Sequence, residues 1–89
     1  MMKIINKDVY DLHFNKYIEF TVELDGGKEV FVNMAEEDYN DKIPYEDTEF
    51  WIYTKSMSEM LINDIDTEEN YYETDEKERK DLYNLCINA

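Results

Sequence analysis

Between residues 17 and 24 the chain alternates strictly. Ile18, Phe20, Val22 and Leu24 fall on one side, and Tyr17, Glu19, Thr21 and Glu23 on the other. A period of two marks a strand with one buried face. Asp25-Gly26-Gly27 follows, supplying the positive φ angles that tight hairpin turns demand. The return run, residues 28–33, sets Val30 and Val32 on one side and Phe31 on the other, so the pattern predicts a β-hairpin. In residues 49–54, Phe50, Trp51, Ile52 and Tyr53 run together. Such an aromatic and β-branched run suits a central strand with cover on both faces.

Residues 35–48, between the hairpin and that strand, are rich in acids and contain Pro44 and a single lysine. This reads as a long acidic connection with room for one helical turn before the proline. Two helices then follow. Ser56-Met57-Ser58-Glu59 fits a capping box, after which Met57, Met60, Leu61 and Ile65 share one helical face. The last helix is expected to start near Thr74 as N-cap, with Asp75 and Glu76 well placed against the helix dipole. Leu82, Leu85 and Cys86 form its apolar stripe, widened by Tyr83 or Ile87. At the N-terminus, residues 2–5 suit an edge strand. Residues 7–14 suit a short helix capped by Asn6 slightly better than an irregular strand with Tyr10, Leu12 and Phe14 facing inward. The sum is one α+β domain over residues 1–89: a small antiparallel sheet of three or four strands, with helices, including the C-terminal ones, packed on one face.

Composition changes this picture in one respect. Low hydropathy with a net charge of −14 on 89 residues is the usual signature of disorder. Against it stand 8 Tyr, 4 Phe and 1 Trp, only 2 Gly and 1 Pro, and the ordered apolar patterns. A folded domain is expected, loose only around residues 66–76. The single Cys86 forms no internal disulfide and gives no sign of secretion. No segment has the length to span a membrane, the N-terminus lacks a signal-peptide core, and so acidic a surface is repelled by anionic lipid. A soluble protein of the cytoplasm, with no membrane partner, is the expectation.

The charge is uneven. Residues 1–35 carry six acids and four lysines, a net −2, while residues 36–89 carry 17 acids and five bases, a net −12. Net charge speaks to partners and association rather than to fold. Direct nucleic-acid binding is disfavoured, because such binders neutralise phosphates with Lys and Arg.

Little here suits catalysis. His13 is the only histidine, and nothing beside it marks an orienting partner or a substrate. One His and one Cys make no ordinary zinc set, and both glycines are used by the hairpin, leaving no phosphate loop. Asp64, Asp66, Glu68 and Asn70 alternate like a calcium loop. Glu69 stands where that loop needs Gly, however, and Asp75 where it needs Glu. Paired carboxylates such as Glu36-Glu37, Glu46-Asp47 and Glu68-Glu69 are too abundant to single out a catalytic pair. No enzyme activity, metal or cofactor is expected.

The tyrosines suggest an interface. Tyr39, Tyr45, Tyr71 and Tyr72 lie inside acidic stretches, and Tyr is favoured at interfaces for its stiff apolar ring and bonding hydroxyl. Equally, each of these rings could staple its loop to the core. Duplex DNA carries about one charge per 1.7 Å, so 14 charges correspond to about 24 Å of duplex. A compact domain of this length spans about 30 Å, which brings its linear charge close to that of DNA.

About ninety residues, strong negative charge, abundant tyrosine and no catalytic constellation together resemble the small acidic inhibitors that phages make against host defences, among them anti-CRISPR proteins and DNA mimics. The resemblance spans the whole chain in composition. It implies an inhibitor that docks in the basic channel of a nucleic-acid-handling protein, such as a CRISPR effector. There Arg and Lys contact phosphate and read bases, and carboxylates pair with them bidentately. The expected partner-binding residues are Glu36, Glu37, Asp38, Asp41, Glu46 and Asp47 around Tyr39 and Tyr45. A second group is Asp64, Asp66, Glu68, Glu69 and Glu73 around Tyr71 and Tyr72. Two other readings stay open: a module that binds a basic protein unrelated to nucleic acid, and a charged domain that functions through an uncharged patch, such as a dimerising sheet edge.

Overall fold

The structure, a computed structural model, describes residues 1–54 and 72–89. The chain starts with three antiparallel strands, β1 (Lys3–Leu12), β2 (Asn15–Glu23) and β3 (Glu29–Ala35). A short helix α1 (Glu36–Asp41), a 3-10 turn (Tyr45–Asp47) and strand β4 (Phe50–Thr54) come next. Helix α2 (Glu76–Ile87) ends the chain. The sheet order is β1-β2-β3-β4, a simple meander, so this is a small α+β fold. The capping box at Ser56, its apolar face and most of the stretch 66–76 lie outside the described residues.

The strict alternation in β2 sets the architecture. Ile18, Phe20 and Val22 pair with Met34, Val32 and Val30, and these in turn lie beside Phe50, Ile52 and Thr54. Apart from Thr54, all of these are buried. One face of the sheet is thus almost continuously apolar and must be covered. Helix α2 covers it with Leu82, Tyr83, Cys86 and Ile87, at spacings of one, three and one along the helix. Tyr83 lies 4.9 Å from Phe50, ring to ring. Each fully buried aliphatic side chain contributes about 1.5–3 kcal/mol through removal from water, so these contacts hold α2 against the apolar sheet face.

The start of α2 differs in detail from expectation. Asp75, not Thr74, is the N-cap: its carboxylate accepts from the Glu78 N–H at 2.8 Å. Thr74 instead donates its hydroxyl to the Glu78 carboxylate. Leu85 is half-buried, while Tyr83 and Ile87 share the stripe with Leu82 and Cys86.

Two expectations are overturned. Residues 7–14 are not a helix but the second half of β1 and a turn. Val9 pairs with Ile18 and Tyr10 with Tyr17, and the chain reverses at His13-Phe14. Both turn residues have positive φ, 51° and 68°, the requirement of a two-residue hairpin turn usually met by Asn-Gly. His and Phe give no such cue, and a bulge between Ile4 and Asn6 breaks the alternation further, so the sequence conceals this hairpin. Tyr10 and Leu12 lie on the face away from α2, and Phe14 is exposed rather than inward-facing.

Among the described residues the aromatic run 50–54 is an edge strand of the sheet, not a central one. In place of a further described strand it has a partial cover along its outer edge. The Tyr72 N–H donates to the Ile52 carbonyl at 2.7 Å and Arg79 Nη2 to the Phe50 carbonyl at 3.1 Å. Arg79 also lies 4.0 Å over the Phe50 ring. Phe50 and Tyr53, whose side chains lie on opposite faces of the sheet, are both buried, as in a strand covered on both sides.

Candidate functional surface

The acidic connection after β3 is ordered by its own side chains. Glu36, Glu37 and Asp38 occupy the first turn of α1, where carboxylates are favoured by the partial positive charge of free N–H groups. Asp38 accepts a hydrogen bond from Thr48 Oγ1 at 3.0 Å, closing the connection on itself. Lys42 ends the helix in the left-handed conformation, with φ 53°. Its ammonium lies 4.3 Å from the Tyr39 ring centre and donates to the Ile87 carbonyl at 2.6 Å. Hence the only lysine of the connection caps the C-terminal end of α2, where cations are favoured.

Tyr39 and Tyr45 serve packing first. Tyr39 is 5.6 Å from Phe20, and its hydroxyl donates to the Ala89 carbonyl. Tyr45 meets Phe50 and Tyr83 edge-on at 5.9 and 6.0 Å. Both rings are half-buried staples of the connection to the core. Burial raises the Tyr45 pKa, and the hydrogen bond and charge of Glu76 add to it. Tyr72 packs similarly, with Lys28 4.8 Å over its ring, and burial followed by the nearby Glu78 raises its pKa.

The contact of Tyr45 with Glu76, and of Glu46 with Lys80 at 3.9 Å, places the 3-10 turn alongside the first turns of α2. The first acidic cluster therefore adjoins the acids that open the last helix, Asp75, Glu76 and Glu78. Glu73 is exposed just before them. Of the expected residues, Glu37, Asp41, Glu46, Asp47 and Glu73 are exposed, and Glu36 and Asp38 are half-buried. Asp64, Asp66, Glu68, Glu69 and Tyr71 lie outside the described residues.

The balance of this side is set by where its cations go. Lys42 and Arg79 are committed to main-chain carbonyls, Lys77 to Asp81 at 3.0 Å, and Lys80 to Glu46. Among the described residues, Glu37, Asp41, Asp47, Glu49 and Glu73 are exposed and form no ion pair. Their charge is therefore presented outward rather than neutralised internally.

Sequence reasoning missed a second surface, on the sheet face away from α2. Tyr10 stacks on Tyr17 at 5.7 Å, and Tyr17 meets Trp51 edge-on at 6.2 Å. The row crosses the sheet from edge to edge, although its members are far apart in sequence. Glu19 and Asn33 lie beneath it as register partners. Burial raises the Glu19 pKa, the Asn33 amide opposes that rise, and the charge of Asp8 adds to it. Asn33 Nδ2 is nevertheless buried without an acceptor at hydrogen-bond geometry. The signal that could have found this row is the polar-side phase of β2 continued into β1 and β4, which needs the register.

Cys86 is fully buried, and loss of solvation pushes its thiol up to about 12, so it is a packing group rather than a nucleophile. No helix among the described residues is long and apolar enough to cross a membrane. Comparison with known protein families, curated proteins and solved structures finds no match to this chain.

Proposed function

We propose that this chain is an acidic inhibitor that occupies the basic nucleic-acid-binding channel of a defence enzyme, most simply a CRISPR effector nuclease, and blocks DNA from entering it. The observation that carries the reading is the outward presentation of carboxylates described above: the described bases after residue 35 are all held by internal contacts, while Glu37, Asp41, Asp47, Glu49 and Glu73 face solvent. The body measures 33 Å along its longest axis, a length over which duplex DNA presents about 19 charges. The described residues carry 18 acids and eight bases, a net −10, in the same span. Long-range attraction would speed encounter with a basic channel and make it salt-sensitive. Affinity would rest on a few desolvated anchors, with carboxylates pairing bidentately with the channel's arginines. The exposed edges of Tyr45 and Tyr72 flank this acidic side and supply the aromatic part.

The test is capture of purified nucleic-acid enzymes, including CRISPR effectors, on the immobilised chain, with salt and duplex DNA as competitors. Displacement by DNA supports the reading. A partner that resists excess DNA would instead support a module for a basic protein unrelated to nucleic acid. Replacing Glu37, Asp41, Asp47 and Glu73 by lysine should abolish capture. Unchanged capture by that variant would remove these residues from the site.

A further inference from the structure

The two edges of the sheet are treated differently. At β4 the outward carbonyls of Phe50 and Ile52 are taken by Arg79 and Tyr72. At β1 no described strand or side chain occupies the outer edge, and this is the longest strand of the sheet, ten residues. Open edges of this kind pair with further strands unless they are blunted.

Which groups β1 offers follows from the ladder. Antiparallel pairs alternate between bonded and non-bonded. Because the Ile52 carbonyl faces out, the phase carried across β3 and β2 through their registers makes Asn6, Asp8, Tyr10 and Leu12 bond inward to β2. Lys7, Val9 and Asp11 are left with N–H and C=O directed outward. The bulge at Ile5 and the turn at His13 bound a regular run from Asn6 to Leu12, whose midpoint is Val9.

We infer that β1 pairs antiparallel with β1 of a second copy of this chain about a two-fold axis at Val9, giving a dimer with one continuous eight-stranded sheet. An isologous pairing puts each residue opposite its mirror position about the midpoint. Val9 then faces Val9 of the second copy, and Lys7 faces Asp11 twice. On the other face, Leu12 faces Asn6 and Tyr10 faces Asp8. Centring on Lys7 opposes two lysines and centring on Asp8 or Asp11 opposes two aspartates, and like charges directly opposite are destabilising. Centring on Tyr10 sets Asp11 opposite Val9 and Asp8 opposite Leu12, so that neither lysine–aspartate pair forms. Within each chain Lys16 already lies 3.6 Å from Asp11, so the pairing extends to an alternating row of Lys16, Asp11 and the second copy's Lys7.

Two further observations select a second copy as the occupant. The exposed large apolar side chains among the described residues are Met1, Ile5, Val9, Leu12 and Phe14, all in the first fourteen positions. The two-fold places Phe14 and Leu12 of one copy beside Ile5 and the N-terminus of the other. Charge points the same way. Residues 1–17 carry three lysines and two aspartates, a net +1, whereas residues 18–89 carry 21 acids and six bases, a net −15. This hairpin therefore offers two molecules this acidic a segment without net negative charge.

The inference does not depend on the acidic-inhibitor reading, since the acidic side and β1 are different surfaces. The test is the mass of the full chain in solution by sedimentation equilibrium, up to about 1 mM. The wild type should move from 10.8 kDa towards twice that mass as concentration rises; a mass that stays at 10.8 kDa throughout overturns the proposal. Lys7→Asp alone and Asp11→Lys alone should each remain monomeric, because each opposes like charges across the two-fold. Their equimolar mixture should dimerise, since the two carboxylates that the first variant carries at positions 7 and 11 then face the two lysines of the second. A mixture no heavier than its components overturns the register. Val9→Pro removes an outward N–H that no bond to β2 uses, at an edge position where proline's fixed φ is tolerated, and should abolish dimerisation while the circular dichroism keeps its strand signal. This variant decides the edge even where a charge variant does not fold: dimers that persist in it overturn the pairing.

Discussion

The Tyr10 hydroxyl donates a 2.8 Å hydrogen bond to Asn33 Oδ1, tying edge strand β1 to β3 across the intervening β2. Asn33 is 2 % exposed, and its Nδ2 has no hydrogen-bond partner, so Tyr10 supplies the bond that accounts for its carbonyl. Removing one partner of a buried polar group costs about 1–3 kcal/mol. Tyr10→Phe should lower stability by that amount in urea denaturation with the m-value unchanged. A loss below a few tenths of a kcal/mol would show that water satisfies Asn33 instead.

Glu19 gives the fold a pH dependence of definite sign. Its pKa in the folded protein lies above 4.5, first because burial disfavours the carboxylate. The native state therefore holds this proton more tightly than the unfolded chain does. Stability contributed by the protonated form is present below pH 4.5 and is lost as pH rises through the folded value. Glu19→Gln should be more stable than the wild type at neutral pH, with the difference shrinking towards pH 4.5. A pH-independent difference would assign the effect to packing alone.

The turn at His13-Phe14 holds two non-glycine residues at positive φ, a conformation that costs about 1–3 kcal/mol per residue. His13→Asn with Phe14→Gly supplies the residues that such turns favour. The double variant should gain about 1–2 kcal/mol in calorimetry, while losing the exposed Phe14 ring that the proposed dimer covers. No gain would mean that the strain is already relieved by local relaxation.

Cys86 is buried against the sheet with its thiol pushed up to about 12. A thiolate is the reactive form, so labelling by a thiol reagent at neutral pH should proceed only through unfolding, and its rate should rise with denaturant. Rapid labelling of the native chain would show that the C-terminal half of α2 opens locally.

The resemblance to acidic phage inhibitors rested on composition, and composition is silent on geometry. The hairpin β2–β3 was legible because it is local: alternation and a Gly-Gly turn, with φ of 91° and 90°, need no information from elsewhere in the chain. The α2 stripe was legible for the same reason. Hairpin β1–β2 was not, because its turn residues carry no glycine signal and its outer face has no core to impose alternation. Of the acidic candidate residues, the sequence could mark the carboxylates but not which ones the internal cations would claim.

Three things were therefore determined by the sequence itself: the α+β class, the identity of the buried sheet face, and the segregation of charge towards residues 36–89. Tertiary structure alone decided that β1 is a strand with no described partner on its outer side, that the outward carbonyls of β4 are taken by Arg79 and Tyr72, and that Tyr10, Tyr17 and Trp51 form one row. The division has a physical cause. Periodicity records what each residue must do against water, whereas register, edge position and the pairing of distant side chains depend on which strands meet, and that is settled only when the whole sheet assembles.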